Sequence, residues 1–162
     1  SCSKHVGVLG TSGTISSRSY EIEIAKMFPC VRVTGEACPM WVPLVENNEY
    51  DSPGADYFVR KHIDRILSAD PLIDTLILGC THYPLLIPKI RQFLPAGVSL
   101  CAQGEYVAES LRDYLRRHPE MDRKLTQGGA CRFLTTESAE KFSEAASIFL
   151  RTSISVEHIS LA

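Results

Sequence analysis

Short apolar segments alternate with amphipathic segments along the whole chain, and this alternation restricts the fold more than any other property of the sequence. The predicted strands cover residues 6–10, 31–34, 75–80, 98–101, 131–134 and 154–159. The predicted helices cover residues 16–27, 54–69, 84–93, 105–117 and 137–150. Strands that alternate with helices in this way are typical of a parallel sheet that helices cover on both faces. We therefore predict an α/β protein with a three-layer, parallel-sheet domain.

The composition excludes several classes of protein. Apolar residues make up 44% of the 162 residues, which is enough for a core, and the formal net charge is −2. A nucleic-acid-binding protein is usually strongly basic, so no nucleic-acid partner is expected. The six cysteines form no CxxC pair, which favours reduced thiols in a cytoplasmic protein. The sequence also has no HExxH motif, so no metal site is predicted. The longest uncharged stretch, residues 75–88, is too short and too interrupted by prolines to cross a membrane.

Cys80 is the first candidate for chemistry. It stands where the apolar run of residues 75–78 stops at Gly79, so a buried strand is predicted to deliver its thiol to the start of a helix. Ligands of α/β proteins bind at the carboxyl ends of such strands, and a helix N-terminus favours the reactive thiolate. His82, two residues on, can reach the same cleft. The alternative is that Cys80 is a small buried apolar residue.

Thr11, Thr14 and Glu46 are further candidates. The two threonines follow the first predicted strand, where hydroxyls and backbone N–H groups suit a carboxylate or phosphate; an ordinary helix cap is the favoured alternative. Glu46 ends an apolar stretch in a predicted irregular loop over residues 37–52. A partly desolvated carboxylate there could orient or charge a histidine, although a solvated loop carboxylate is favoured.

Several other residues are predicted only to pack. They are Cys30, Cys38, Trp41 and Cys131, together with one face of the helix over residues 105–117, namely Val107, Ala108, Leu111 and Leu115, and the inward face of the last helix, namely Phe142, Ala145, Ala146 and Phe149.

Five segments together resemble the bacterial glutamate racemases of the aspartate/glutamate racemase superfamily. The most specific is LGCTHYPLL at residues 78–86, which resembles the family's second-cysteine signature. The others are GVLGTSGTI at 7–15, ACPMWVPLVE at 37–46, GEYVA at 104–108 and FLTT at 133–136. Their order and spacing fit the family across nearly the whole chain, with a looser match in the last sixty residues.

The resemblance implies cofactor-independent interconversion of L- and D-glutamate, which supplies D-glutamate for peptidoglycan. In this family two cysteines face opposite sides of the substrate α-carbon. Carried over, Cys80 is one acid/base, His82 assists it, and Glu46 holds and charges His82. The resemblance also assigns Thr11, Thr14 and Thr81 to binding the substrate's carboxylates and amino group. A homodimer is expected of the intact protein.

One departure from the family pattern is large. The Asp-Ser-Gly and Asn-Cys-Asn-Thr signatures of the family, the second of which carries the other catalytic cysteine, do not occur in the sequence. Residues 5–100 then correspond to the central α/β domain, and residues 101–162 to a return that completes an incomplete second α/β domain. We therefore expect a fragment that holds half of an active site and does not racemise glutamate alone.

Two other functions remain open from the sequence. Cys80, His82 and Glu46 could form the triad of a cysteine-dependent hydrolase or amidase, which needs only one cysteine. Alternatively, the chain could be a non-catalytic domain that binds small anions.

Overall fold

The computed structural model describes residues 1–150 and 152–161, apart from the side chain of residue 148. The chain divides into two units, Ser1–Glu109 and Ser110–Ala162. The first unit contains, in chain order, β1 His5–Gly10, α1 Ser12–Ser16, α2 Ser19–Met27, β2 Arg32–Ala37, α3 Trp41–Glu46, α4 Pro53–Ala69, β3 Thr75–Leu78, a 3-10 helix Tyr83–Leu86, α5 Ile87–Phe93, β4 Ser99–Ala102 and the start of α6 Gln103–Arg117.

The four strands of the first unit form one parallel sheet in the order β2-β1-β3-β4. The chain passes from β1 to β2 on one side and then crosses to β3 on the other side of β1. The loops that leave β1 and β3 therefore diverge, and an open α/β sheet places its ligand crevice at such a point, outside the carboxyl ends of the strands. Thr11 directly follows β1, and Cys80 lies two residues beyond the end of β3.

The core lies between the sheet and α4. Leu9 and Leu76 of the sheet and Val59, Ile63 and Ile66 of α4 are almost completely buried. Helix α4 begins where Ser52 Oγ accepts the Ala55 N–H at 3.3 Å, with proline in the first turn, where its missing N–H leaves no helical bond unmade. Its apolar residues recur at helical spacing, so one face packs on the strands.

Gly7 of β1 allows the sheet and α4 to approach closely. A Cβ at this position would clash with the Leu76 side chain and would stand 2.8 Å from Ile66 Cδ1. The two side chains thus fill the space that a larger residue at position 7 would need.

A buried carboxylate fastens the amino-terminal ends of the strands. Asp70, which caps the end of α4, is 3% exposed and accepts hydrogen bonds from His5 Nδ1 at 2.8 Å, Thr34 Oγ1 at 3.3 Å and the Leu72 N–H at 3.2 Å. The hydrogen bond from His5 is the main reason that the pKa of Asp70 is lowered. Asp70 therefore ties β1, β2 and α4 together through one charged group.

The second unit contains the rest of α6, then α7 Pro119–Asp122, β5 Phe133–Thr135, α8 Ala139–Leu150 and β6 Val156–His158. Strands β5 and β6 form a separate two-stranded parallel sheet, on which α8 packs. Every side chain that the structure describes in residues 110–161 is at least partly exposed to solvent. A sheet of two strands, β5 and β6, with one helix, α8, packed on it does not enclose a core.

The parallel α/β fold is confirmed, but several local predictions are wrong. The predicted helix over residues 16–27 is two helices, because Arg18 has a left-handed backbone (φ 53°) between α1 and α2. The predicted irregular segment 37–52 contains α3, whose Pro43 stands in the first turn, where a proline is tolerated. The strand predicted to reach Cys80 ends at Leu78.

Several predicted packing residues are in fact exposed. Cys30 and Cys131 are at the surface, and α6 buries no residue. Val107 and Leu111 are 61% and 55% exposed, and Phe142 of α8 is 41% exposed. The apolar spacing of α6 correctly indicates a helix, but the residues on that face are at least partly exposed. Cys38 and Trp41 are fully buried, as predicted.

Candidate active site

Cys80 lies on the turn that connects β3 to the 3-10 helix. The turn is held at both ends, because the Gly79 N–H donates to the Leu9 carbonyl at 2.8 Å and the Tyr83 N–H donates to the Cys80 carbonyl at 3.2 Å. Gly79 is needed here, since a Cβ would stand 3.1 Å from the Leu9 oxygen. The Cys80 side chain is half-buried, so a fixed backbone presents an accessible thiol.

His82 lies between a thiol and a carboxylate. Its Nδ1 is 3.8 Å from Cys80 Sγ, and its Nε2 is 3.2 Å from Glu46 Oε1. A carboxylate at Nε2 favours a proton on that nitrogen, which leaves Nδ1 free to exchange a proton with the thiol. The structure therefore brings together the three residues that the sequence proposed for acid/base chemistry.

Glu46 is the last residue of α3 and is 58% exposed, while the side chain of His82 is 34% exposed. The Glu46 carboxylate is thus largely solvated, and its contact with His82 occurs at the protein surface. Exposed ion pairs are individually weak, so this geometry needs support from the backbone that carries it.

Thr11 and Thr14 face one another beside the end of β1. Thr11 Oγ1 caps α1 by accepting the Thr14 N–H at 3.2 Å, and the two hydroxyl oxygens are 3.0 Å apart. The favoured cap alternative is therefore present, and both threonines remain half-buried. Thr81 is exposed next to Cys80.

The threonine pair and the group formed by Cys80, His82 and Glu46 lie at the same edge of the sheet. Leu9 pairs with Leu78, so Thr11 and Cys80 each follow a paired residue by two positions on neighbouring strands. This register places the hydroxyls and the thiol on adjacent loops at the point where the strand order reverses.

Sequence reasoning did not single out two residues that shape this edge. Gln103 Nε2 donates to the Leu78 carbonyl at 2.9 Å and to Tyr20 Oη at 2.6 Å, which joins β3 to α2. Tyr83 is fully buried, and its hydroxyl donates to the Cys38 carbonyl at 3.0 Å. None of these three pairings has a signal in the sequence, because the partners are 83, 25 and 45 positions apart.

The cysteines differ in their environment. Burial, followed by the charge of Glu36, raises the pKa of the Cys38 thiol far above its ordinary value, so Cys38 stays protonated and inert. Among the described residues, no three His, Cys, Asp or Glu side chains are grouped to hold a metal ion.

Comparison with known proteins shows which proteins this chain resembles in sequence. No protein-family model matches the chain. A glutamate racemase of Streptococcus pyogenes serotype M5 is 40% identical over 162 aligned residues, which cover 96% of this chain and 58% of that protein. A glutamate racemase of Streptococcus mutans is 39% identical and is covered to 59%. The chain is homologous to the glutamate racemases.

Solved glutamate racemase structures share the fold. That of a Bacillus anthracis isoform matches with a TM-score of 0.83 and 33% identity, over 98% of this chain and 58% of the other. The Francisella tularensis glutamate racemase, solved in complex with D-glutamate, matches with a TM-score of 0.81 and 27% identity, again over 58% of its length. The chain thus spans 58–59% of these relatives. No helix among the described residues is long and apolar enough to cross a membrane.

Proposed function

We propose that Cys80 is one of the two acid/base thiols of a cofactor-independent glutamate racemase, and that this chain supplies that half of the active site. The observation that carries the proposal is the ordered contact of Cys80, His82 and Glu46 at the carboxyl edge of the sheet. It occurs in a chain that is 40% identical to glutamate racemases over 96% of its length.

The proposed reaction is a proton transfer at the α-carbon of glutamate. The Cys80 thiolate removes the α-proton and becomes a thiol, and a second acid on the opposite face returns a proton to the carbanion-like carbon. In the reverse direction the Cys80 thiol donates its proton. His82 accepts a proton from the Cys80 thiol and returns it to the thiolate, and Glu46 holds the imidazole in place. Because an α-proton is very weakly acidic, such an enzyme depends on preorganised donors and a tuned base.

Substrate binding is proposed for the hydroxyls of Thr11, Thr14 and Thr81. The first two are half-buried beside the end of β1, and Thr81 adjoins Cys80. Hydroxyls can donate to a carboxylate and accept from an ammonium group, so one set of threonines suits an amino acid.

The remaining proposals concern the whole protein. We propose that residues 101–162 complete a second α/β domain, which is supported by the solvent exposure of every described side chain in residues 110–161. We also propose a homodimer, a cytoplasmic location and a role in supplying D-glutamate for peptidoglycan, which are the expectations that the sequence and its family resemblance raise.

Reconstitution tests the proposed function. We expect no D-glutamate from L-glutamate with the 162-residue chain alone, because racemisation needs acids on both faces of the α-carbon. We expect activity when the part of the Streptococcus pyogenes relative that this chain does not match is added as a separate polypeptide. Chiral chromatography measures the product.

Two variants give that experiment its control. Cys80→Ser should abolish the reconstituted activity, whereas Cys30→Ser, at an exposed cysteine, should leave it unchanged. Racemisation by the chain alone, or full activity of the reconstituted Cys80→Ser variant, would contradict the proposal.

A cysteine hydrolase is the second candidate, because it needs a nucleophile, a base and an orienting acid in contact with one another. Cys80, His82 and Glu46 could take these three roles. Incubation with amide and ester substrates, followed by mass spectrometry, distinguishes the two functions. A trapped acyl group on Cys80 would favour the hydrolase.

A further inference from the structure

Tyr83 is a fully buried tyrosine between the two segments that carry the candidate site. Its hydroxyl donates to the Cys38 carbonyl at 3.0 Å. Its ring meets the edge of the Trp41 ring, with 4.9 Å between the ring centroids and 61° between the planes. One side chain therefore makes both a polar and an aromatic contact with the segment that precedes and begins α3.

Each contact is a short distance along the chain from a site residue. Tyr83 directly follows His82, and its N–H holds the Cys80 carbonyl. Trp41 is the first residue of α3 and Glu46 is the last, and the Trp41 N–H donates to the same Cys38 carbonyl at 3.2 Å. His82 and Glu46 are thus connected within the protein through Tyr83 and helix α3.

We propose that Tyr83 is a positioning residue, which sets the separation of His82 Nε2 and Glu46 Oε1 by fixing the Cys80–His82 turn against α3. The inference rests on the proposed function, since it assigns how the acid/base group of that site is held. Two partly exposed side chains do not hold a 3.2 Å contact by their own attraction, whereas a site supported by a packed second layer of residues keeps its geometry.

The protonation state of Tyr83 agrees with this role. Burial is the main reason that the pKa of its hydroxyl lies above the ordinary range. The hydroxyl therefore remains a donor at any pH at which a thiol and an imidazole exchange protons.

The test measures how fast Cys80 reacts with iodoacetamide at pH 7, with the modified peptides resolved by mass spectrometry and exposed Cys30 as the internal reference. An imidazole beside a thiol promotes the reactive thiolate. We expect Tyr83→Phe, which keeps the ring and removes the hydroxyl, to slow the reaction of Cys80 about 3- to 10-fold. Tyr57→Phe, at a tyrosine that is 62% exposed, should have no effect.

The decisive measurement repeats Tyr83→Phe in a His82→Asn background. If Tyr83 acts through His82, the second substitution slows Cys80 no further. Trp41→Phe keeps the hydroxyl bond but alters the ring contact, and we expect the same dependence on His82; this variant serves if Tyr83→Phe does not fold.

Two results would overturn the inference. One is a loss of thermal stability in Tyr83→Phe with unchanged reactivity of Cys80, and the other is equal slowing with and without His82. A different result bears on the proposed function itself: if His82→Asn leaves the reactivity of Cys80 unchanged, the acid/base pair does not exist.

Discussion

At the scale of single residues, the structure separates the side chains for which we propose chemistry from those that hold the fold. On the carboxyl side of the sheet, His82 contacts Cys80 through one ring nitrogen and Glu46 through the other, and all three side chains are at least partly exposed. Asp70 is a charged residue of the opposite kind, since it is almost fully buried at the amino-terminal side of the sheet and accepts hydrogen bonds from His5 of β1, Thr34 of β2 and Leu72 after α4. Its role can be tested by stability alone.

Asp70→Ala should lower the free energy of unfolding by about 2–3 kcal/mol at pH 7, because it removes a buried charged acceptor from three donors. Urea unfolding followed by the fluorescence of Trp41, the only tryptophan, measures the change. Asp64→Ala, at an exposed position of the same helix, is the control and should change stability by less than about 0.5 kcal/mol.

The same variant has a predicted pH dependence. The pKa of Asp70 is lower in the folded chain than in the unfolded chain. Its stabilising effect is therefore complete above the unfolded value of about 3.9 and is lost as the pH falls through the folded value. The stability difference between the wild type and Asp70→Ala should shrink below about pH 3.9. A difference that grows on acidification would contradict this assignment.

At the scale of elements, the sheet and α4 depend on a close approach that only glycine permits. Gly7→Ala places a methyl group against Leu76 and Ile66, so we expect a loss of about 1–3 kcal/mol in urea unfolding. Gly54→Ala, near the start of α4, meets its nearest atom at an ordinary 3.4 Å and should be neutral or slightly stabilising. Equal effects of the two substitutions would show that the packing against β1 is not tight.

The sequence predicts elements best where a local pattern and the packing agree. Helix α4 and strand β1 were found within one residue of their observed ends, because their apolar spacing matches the face that they bury. Helix α3 was missed, since Pro39 and Pro43 read as loop signals although a proline in a first turn is harmless. The break at Arg18 has no sequence signal, because arginine rarely adopts a left-handed backbone.

In the candidate active site, too, local contacts could be predicted from the sequence and contacts between distant segments could not. Cys80 and His82 are two residues apart, so their contact could be anticipated from the sequence. Glu46 was a candidate because it ends an apolar stretch, and the resemblance linked it to His82. The contacts of Tyr83 with Cys38 and of Gln103 with Leu78 could not be anticipated, because they depend on how distant segments pack.

At the scale of the whole molecule, the two units differ in what they bury. The first has a continuous apolar core, whereas every described side chain in residues 110–161 is at least partly exposed. We expect the described amides of this second unit to exchange with deuterium at least about tenfold faster than those of β1 and β3, because local opening there exposes little new apolar surface. Hydrogen exchange read by mass spectrometry at neutral pH measures this.

Addition of the unmatched part of a racemase relative provides the comparison. If that part covers the second unit, protection should rise there and stay constant in β1 and β3. Protection of residues 110–150 equal to that of the sheet, in a chain shown to be monomeric by light scattering, would contradict the proposed domain organisation.

The turn at Gly79 and Cys80 has a consequence for how such a protein changes over time. The thiol stands outside the hydrogen-bonded ladder of β3, and the backbone on either side of it is held by Gly79 and Tyr83. We therefore expect loss of the thiol to leave the hydrogen bonds of the ladder intact and the chain folded. If Cys80 has the proposed acid/base role, substitutions that end this role would leave the surrounding backbone in place, so a descendant could keep the architecture after losing the reaction.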